Sequence, residues 1–168
     1  ILFARNCRTA EQIRRLTGAL RHAVGRGDAP VLMDHEGGRV QRLPSPPWRK
    51  VPAAAELGRL PPDRAALAVA LNAQLMAMEL TDLGIDVNCV PILDVNDAAG
   101  HQVIGDRAFA ADPGAVAQLG RAQAEGLRRG GALPVIKHMP GHGRATVDSH
   151  RELPIVPARQ EELAERDF

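Results

Sequence analysis

The stretch Arg64–Leu93, RAALAVALNAQLMAMELTDLGIDVNCVPIL, combines a helical pattern with a strand pattern. Its first part is rich in Ala, Leu and Met, which are strong helix formers, and predicts a helix over Arg64–Leu83. Gly84 ends that helix, because glycine is common just beyond a helix C-terminus. Ile85–Leu93 is apolar and predicts a strand region. A helix that leads directly into a buried strand is typical of α/β proteins.

The same alternation extends along the rest of the chain. Apolar runs predict strands at Ile1–Phe3, Val31–Met33 and Leu133–Ile136, and further helices are predicted over Thr9–Val24, Pro113–Arg129 and Ala158–Phe168. The strands are apolar throughout rather than alternating, which favours a parallel sheet covered by helices. A complete eight-stranded barrel needs about 200 residues or more, so only about half of one is expected here.

Composition limits the class of protein. The 168 residues suit one domain spanning 1–168, and a net charge of +1 with 24% charged residues gives no basic excess. We therefore expect no nucleic-acid or membrane-surface partner. Cys7 and Cys89 are too few for a disulfide framework and are interpreted as buried structural thiols. No apolar run approaches membrane-spanning length.

Polar residues follow each predicted strand. They are Asn6, Asp34, Glu36, Asp94, Asn96, Lys137 and His138. Because the carboxyl ends of parallel strands share one edge of a sheet, this pattern predicts a single site at that edge. Two glycine-containing segments, Asp34–Arg42 and Gly105–Phe109, add arginines to the same region. On its own, the first segment fits a tight turn with a surface ion pair about as well as a binding role, and its position after an apolar strand favours binding. In the second segment, Arg107 taken alone is more often a surface or structural arginine than a ligand contact.

The segment Lys137–His150, KHMPGHGRATVDSH, holds three histidines, a lysine and an aspartate between residues that disfavour regular structure. One interpretation is a zinc site formed by His138, His142, Asp148 and His150, although proline and glycine oppose the helix that would align the first two. The alternative is proton transfer. Asp148 and His150 are two residues apart, so in an extended stretch they project to the same side and the carboxylate can orient the imidazole. An aspartate and a histidine that merely tether the loop are a third interpretation.

Three segments resemble the signature blocks of the bacterial β-N-acetylglucosaminidases of glycoside hydrolase family 3. They are DHEGGRVQRL at Asp34–Leu43, IGDRAF at Ile104–Phe109 and the block Lys137–His150. ILFARN at Ile1–Asn6 and VPILDV at Val90–Val95 also fit the family in the same order. The resemblance therefore spans essentially the whole chain.

The resemblance implies a partial (β/α)8 TIM barrel with helices outside its parallel strands. It also implies hydrolysis of terminal β-linked N-acetylglucosamine with retention of configuration, from muropeptides in cell-wall recycling, in the cytoplasm and without a cofactor or metal. By the same resemblance the sugar is held by Asp34, Arg42, Arg107, Lys137 and His138. Asp148 and His150 match a mobile pair in which the histidine acts as general acid and then base, where most glycosidases use a carboxylate.

The family's nucleophile is an aspartate in a late strand motif, which is not found in these 168 residues. We therefore expect the chain to lack the first strand and the last three strands of the barrel. Taken alone, it is expected to be inactive, because no covalent glycosyl intermediate can form. A catalytically silent sugar-binding module and a glycoside phosphorylase are the alternatives.

Overall fold

The computed structural model describes residues 1–167, and Phe168, at the end of the predicted helix Ala158–Phe168, lies outside them. Strands β1 (Leu32–Met33), β2 (Val87–Asn88) and β3 (Leu133–Pro134) form one sheet in the order β1-β2-β3. Both pairs of neighbours are parallel. The sheet is open and carries helices, which confirms the predicted α/β class and the partial, unclosed barrel.

Within residues 1–167, five α-helices accompany the sheet. They are α1 (Ala10–Ala23), α2 (Ala54–Gly58), α3 (Pro62–Asp82), α4 (Pro113–Arg129) and α5 (Gln160–Arg166), and short 3-10 turns lie at Ala4–Asn6 and Gly105–Arg107. The four predicted helices correspond to α1, α3, α4 and α5, whereas α2 was not predicted because it follows a proline-rich loop. Among residues 1–167, no helix has the length and apolar character needed to cross a membrane.

The strands are shorter than the apolar runs predicted. Ile1–Phe3 is not a strand and contributes one parallel bridge, from Leu2 to Met33. In the region Ile85–Leu93, only β2 and a separate bridge from Ile92 to Lys137 are formed. Pro91 separates these two pieces, and a proline has no N–H group to donate to the ladder.

Within residues 1–167, buried apolar residues form three clusters. The largest surrounds β1 and contains Leu2, Cys7, Ile13, Val31, Met33, Leu43, Leu80, Leu83 and Ile85. The second contains Ala65, Val69, Val95, Phe109, Val116 and Leu119, and the smallest contains Ala73, Ala77, Val90, Leu127 and Ala132. Helices α3 and α4 approach closely at Gly126, where an added Cβ would lie 2.2 Å from the carbonyl oxygen of Ala70. Cys7 and Cys89 are buried free thiols, as predicted.

The last predicted strand is more exposed than expected. Leu133 is 61% exposed, Val135 41% and Ile136 50%, so the prediction of a buried strand over Leu133–Ile136 is wrong. These residues are exposed because β3 lies at the edge of the sheet. Within residues 1–167, β3 pairs with β2 on one side and has no strand on the other.

Candidate active site

A cavity of about 330 Å³ opens where the strands end, and we call it the edge cavity. It is lined by Asp34, Glu36, Val40, Arg42, Arg107, Lys137, His138 and His150. Six of the seven predicted site residues are in this set. The seventh, Asp148, is bonded to His150. The structure therefore brings together residues that lie more than one hundred positions apart in the chain, as the predicted shared sheet edge requires.

A compact group of ion pairs forms the floor of the edge cavity. The Lys137 Nζ atom lies 2.7 Å from Asp34 Oδ1 and 2.9 Å from Glu36 Oε1. Arg107 donates to the same Glu36 through Nε at 2.8 Å and Nη2 at 3.0 Å. Such forked pairing fixes the plane of the guanidinium group. In the sequence, Glu36 is one of the polar residues that follow strands, but no local signal marks it as a site residue.

These contacts shift the pKa values of Asp34 and Arg107 toward their charged forms. Burial alone would raise the pKa of Asp34, but the hydrogen bond and charge of Lys137, with the charge of Arg42, outweigh it and hold that pKa below its usual value. Burial likewise acts to lower the pKa of Arg107, and Glu36 more than compensates, so the pKa of Arg107 is raised. Asp34 and Arg107 therefore remain charged around neutral pH.

His35 lies between two cavity residues but points into the core. It is 1% exposed, and its Nδ1 accepts the backbone N–H of Arg42 at 3.2 Å. Burial, followed by the charges of Arg49 and Arg42, lowers the pKa of His35 to about 4. The backbone after β1 thus sends Asp34 and Glu36 to the cavity and His35 to the opposite side, as alternation along an extended chain requires.

The buried carboxylate of Asp94 forms a hydrogen bond with the ring of His138. Asp94 Oδ2 lies 2.6 Å from His138 Nδ1, and Asp94 Oδ1 accepts the backbone N–H of His142 at 2.5 Å. The Asp94 side chain is fully buried, whereas that of His138 is 35% exposed toward the cavity. The sequence likewise marks Asp94 only as a polar residue that follows a predicted strand. Its role in orienting His138 was missed because the two residues are distant in sequence.

Asp148 and His150 form a close pair. His150 Nδ1 lies 2.6 Å from Asp148 Oδ1, and the backbone N–H of His150 donates to the same oxygen at 2.9 Å. Those two hydrogen bonds lower the pKa of Asp148. The predicted extended geometry is wrong, because the pair lies in a turn in which Arg151 N–H donates to Asp148 O at 2.9 Å. The turn still aligns the carboxylate with the imidazole, whose side chain is 79% exposed.

The zinc arrangement considered for His138, His142, Asp148 and His150 is not formed. Of the four residues, His138 bonds at Nδ1 to Asp94, which is not one of them, and His150 bonds at Nδ1 to Asp148. Within residues 1–167, no group of three or more His, Cys, Asp or Glu side chains is arranged to hold a metal ion.

Comparison with known proteins identifies the family of this chain. A β-hexosaminidase of Methylococcus capsulatus is 45% identical over 169 residues, which cover 100% of this chain and 49% of that protein. A β-hexosaminidase of Hydrogenovibrio crunogenus is 38% identical over 171 residues, covering 100% of this chain and 47% of that protein. The chain therefore spans about half the length of these curated relatives.

Solved structures give the same result. NagZ from Neisseria gonorrhoeae, in complex with N-trifluoroacetyl-D-glucosamine, superposes with a TM-score of 0.91 at 37% identity, over 99% of this chain and 49% of that one. The sequence pattern described as the glycosyl hydrolase family 3 N terminal domain matches residues 1–168. The chain belongs to glycosyl hydrolase family 3 and carries its N-terminal domain.

Proposed function

We propose that the protein containing this chain is a β-N-acetylhexosaminidase that removes terminal β-linked N-acetylglucosamine. The observation that carries the proposal is the convergence on one cavity of a charged hydrogen-bonding floor and an Asp148–His150 pair. The curated relatives are named β-hexosaminidases. The NagZ structure holds an N-acylglucosamine analogue, which supports the same class of sugar.

The floor of the edge cavity suits a sugar. A cavity of about 330 Å³ is within the range of small-ligand sites, which lies at about 300 to 1,000 Å³. Sugar hydroxyls both donate and accept, and the cavity offers them the carboxylate of Asp34 and the N–H groups of Arg107 and Lys137. Charged partners make stronger hydrogen bonds to hydroxyls than neutral ones do. We propose that these groups, with Arg42 and His138, hold the terminal sugar.

Proton transfer is assigned to His150. With Asp148 bonded at Nδ1, the Nε2 atom of the imidazole is left to exchange a proton with the glycosidic oxygen and later with water. The ionised Asp148 fixes the tautomer and stabilises the imidazolium that forms when water is activated. The exposed turn that carries the pair allows it to approach and leave the bond.

Retention of configuration needs a nucleophilic carboxylate as well. The carboxylates of Asp34 and Glu36 line the cavity, and both are engaged in ion pairs with Lys137. We therefore propose that the nucleophile comes from another part of the complete protein and that residues 1–168 alone do not turn over substrate. Muropeptides as the natural substrate, a role in cell-wall recycling and a cytoplasmic location are parts of the proposal supported by the family resemblance.

The test is an assay of the complete protein on a chromogenic β-N-acetylglucosaminide, with the matching β-glucoside as control. Hydrolysis of the first substrate alone is expected, with the β-anomer released initially. The rate should be the same without inorganic phosphate and with a chelator present. Failure to cleave either substrate would favour the silent sugar-binding module, and a strict need for phosphate would identify a phosphorylase.

A further inference from the structure

Glu36 is the most enclosed charged group of the edge cavity. Its side chain is 6% exposed, compared with 12% for Arg107, 17% for Lys137 and 22% for Asp34. One carboxylate oxygen contacts both cations, Lys137 at 2.9 Å and Arg107 at 3.0 Å, and the other contacts Arg107 at 2.8 Å. Because both oxygens are engaged, Glu36 acts through these cations.

Those contacts decide which donors remain for a ligand. Arg107 has five N–H groups, of which two donate to Glu36 and one to the carbonyl oxygen of Val103 at 2.9 Å. Lys137 has three N–H groups, and its Nζ atom contacts two acceptors, Asp34 and Glu36. In the described part of the chain, the other N–H groups of both cations have no acceptor. Glu36 thus fixes the direction of the donors left for sugar hydroxyls.

Glu36 also sets the charge of the cavity. The lining includes three permanent cations, Arg42, Arg107 and Lys137, and two carboxylates, Asp34 and Glu36. Without Glu36 the ratio becomes three cations to one carboxylate. Clustered Arg and Lys side chains that lack carboxylate partners bind phosphate and other anions.

We propose that Glu36 is a positioning residue that makes the edge cavity selective for an uncharged sugar over anions such as inorganic phosphate. The selectivity for a sugar rests on the proposed function, whereas exclusion of anions follows from the ion pairs themselves. A carboxylate already bonded to both cations competes with any incoming anion for the same N–H groups.

The test compares Glu36→Gln, Glu36→Asp and the unmodified complete protein by calorimetric binding of N-acetylglucosamine and of inorganic phosphate. Glu36→Gln removes the charge, so phosphate should bind about tenfold more tightly and N-acetylglucosamine about tenfold more weakly. Glu36→Asp keeps the charge but shortens the reach, so it should weaken sugar binding without increasing phosphate binding.

The matched control is Asp86→Asn. Asp86 also accepts two hydrogen bonds from one arginine, Arg21, at 2.7 and 2.8 Å, but it precedes β2 and lies outside the lining of the edge cavity. The substitution Asp86→Asn changes the net charge by the same amount as Glu36→Gln. Neither phosphate nor N-acetylglucosamine binding should change in this variant.

The outcomes separate the two proposals. If Glu36→Gln binds both ligands as the unmodified protein does, the assignment of Glu36 is overturned. If the unmodified protein binds no N-acetylglucosamine, the proposed function fails, while a gain of phosphate binding confined to Glu36→Gln would still support the charge role. Should Glu36→Gln not fold, Glu36→Asp decides, because unchanged sugar affinity in that variant contradicts positioning by Glu36.

Discussion

Asp94 holds the imidazole of His138 at 2.6 Å with one carboxylate oxygen and, with the other, the backbone N–H of His142 at the start of the loop that carries Asp148 and His150. The carboxylate is fully buried, and His138, which it bonds, lines the edge cavity. One buried side chain therefore joins a proposed sugar-binding residue to the proposed acid/base loop. Removing its charge should disturb both.

We predict that Asp94→Asn lowers kcat/KM by about tenfold or more, since hydrogen bonds to a buried charge contribute about 1.5 to 3 kcal/mol. Hydrogen exchange in residues 141–150 should become faster, because the loop loses its charged anchor. Steady-state kinetics and exchange measured by mass spectrometry provide the check. Asp97→Asn is the control, because Asp97 pairs with Arg166 at 3.0 Å and lies outside the cavity lining. Equal effects from both variants would argue against the anchor role of Asp94.

We predict that His150→Ala in the complete protein reduces kcat by about a hundredfold to ten-thousandfold and leaves KM nearly unchanged. The transition state loses its proton donor, whereas the floor that binds the sugar keeps Asp34, Arg107 and Lys137. Substrates with a good leaving group should lose less, because they need less protonation. His22→Ala, on the exposed face of α1, serves as control. Unchanged turnover would remove His150 from the acid/base role.

The edge cavity shows which parts of the site could be predicted from the sequence. Glycine, arginine and histidine blocks at strand ends, through the family resemblance, predict Asp34, Arg107 and Lys137 as site residues, and these three residues line the edge cavity. Glu36 and Asp94 were visible as polar residues after strands, but their partners Arg107 and His138 lie 71 and 44 positions away. Local sequence patterns do not predict contacts between residues so far apart in the chain.

The predicted ends of the strands were wrong for a related reason. Apolar runs such as Ile85–Leu93 predict that a segment is buried, whereas a ladder also needs N–H donors and a neighbouring strand, which Pro91 and the position of β3 restrict. Helix limits were predicted more closely because local signals set them. Thr9 accepts from Gln12 N–H at 3.2 Å, and Asp112 accepts from Ala115 N–H at 2.7 Å.

The buried His35 predicts a specific pH dependence of stability. Its pKa falls from 6.5 to about 4 in the folded protein, so below about pH 6.5 the unfolded chain takes up a proton that the folded chain excludes. The free energy of unfolding should be unaffected by His35 above that pH and decline between about pH 6.5 and about pH 4. The full loss corresponds to about 3 kcal/mol, as an order of magnitude.

His35→Gln should therefore flatten the pH dependence. The amide oxygen can accept the N–H of Arg42, and the glutamine side chain does not titrate in this range. Urea unfolding at about pH 7 and about pH 5 measures the difference, with His22→Gln on exposed α1 as control. If His35→Gln and the unmodified protein lose equal stability over that interval, the burial of a neutral His35 is not the cause.

The loop that carries the acid/base pair depends on a close backbone approach at Gly143. A Cβ added there would lie 1.9 Å from the carbonyl oxygen of Val95, so Gly143→Ala must push the loop away from the residues that follow β2. We predict a loss of about 1 to 3 kcal/mol in stability and a fall of about tenfold or more in kcat/KM. Thermal unfolding and steady-state kinetics measure the two effects.

Gly18→Ala is the matched control, because a Cβ at this position in α1 meets nothing within 4 Å. The same substitution should there raise stability by about 0.5 to 1 kcal/mol, since alanine favours the helix, and leave kcat/KM unchanged. A Gly143→Ala variant with full activity would mean that the loop reaches the sugar from a different position, and the contact between Gly143 and Val95 would then play no part in presenting His150.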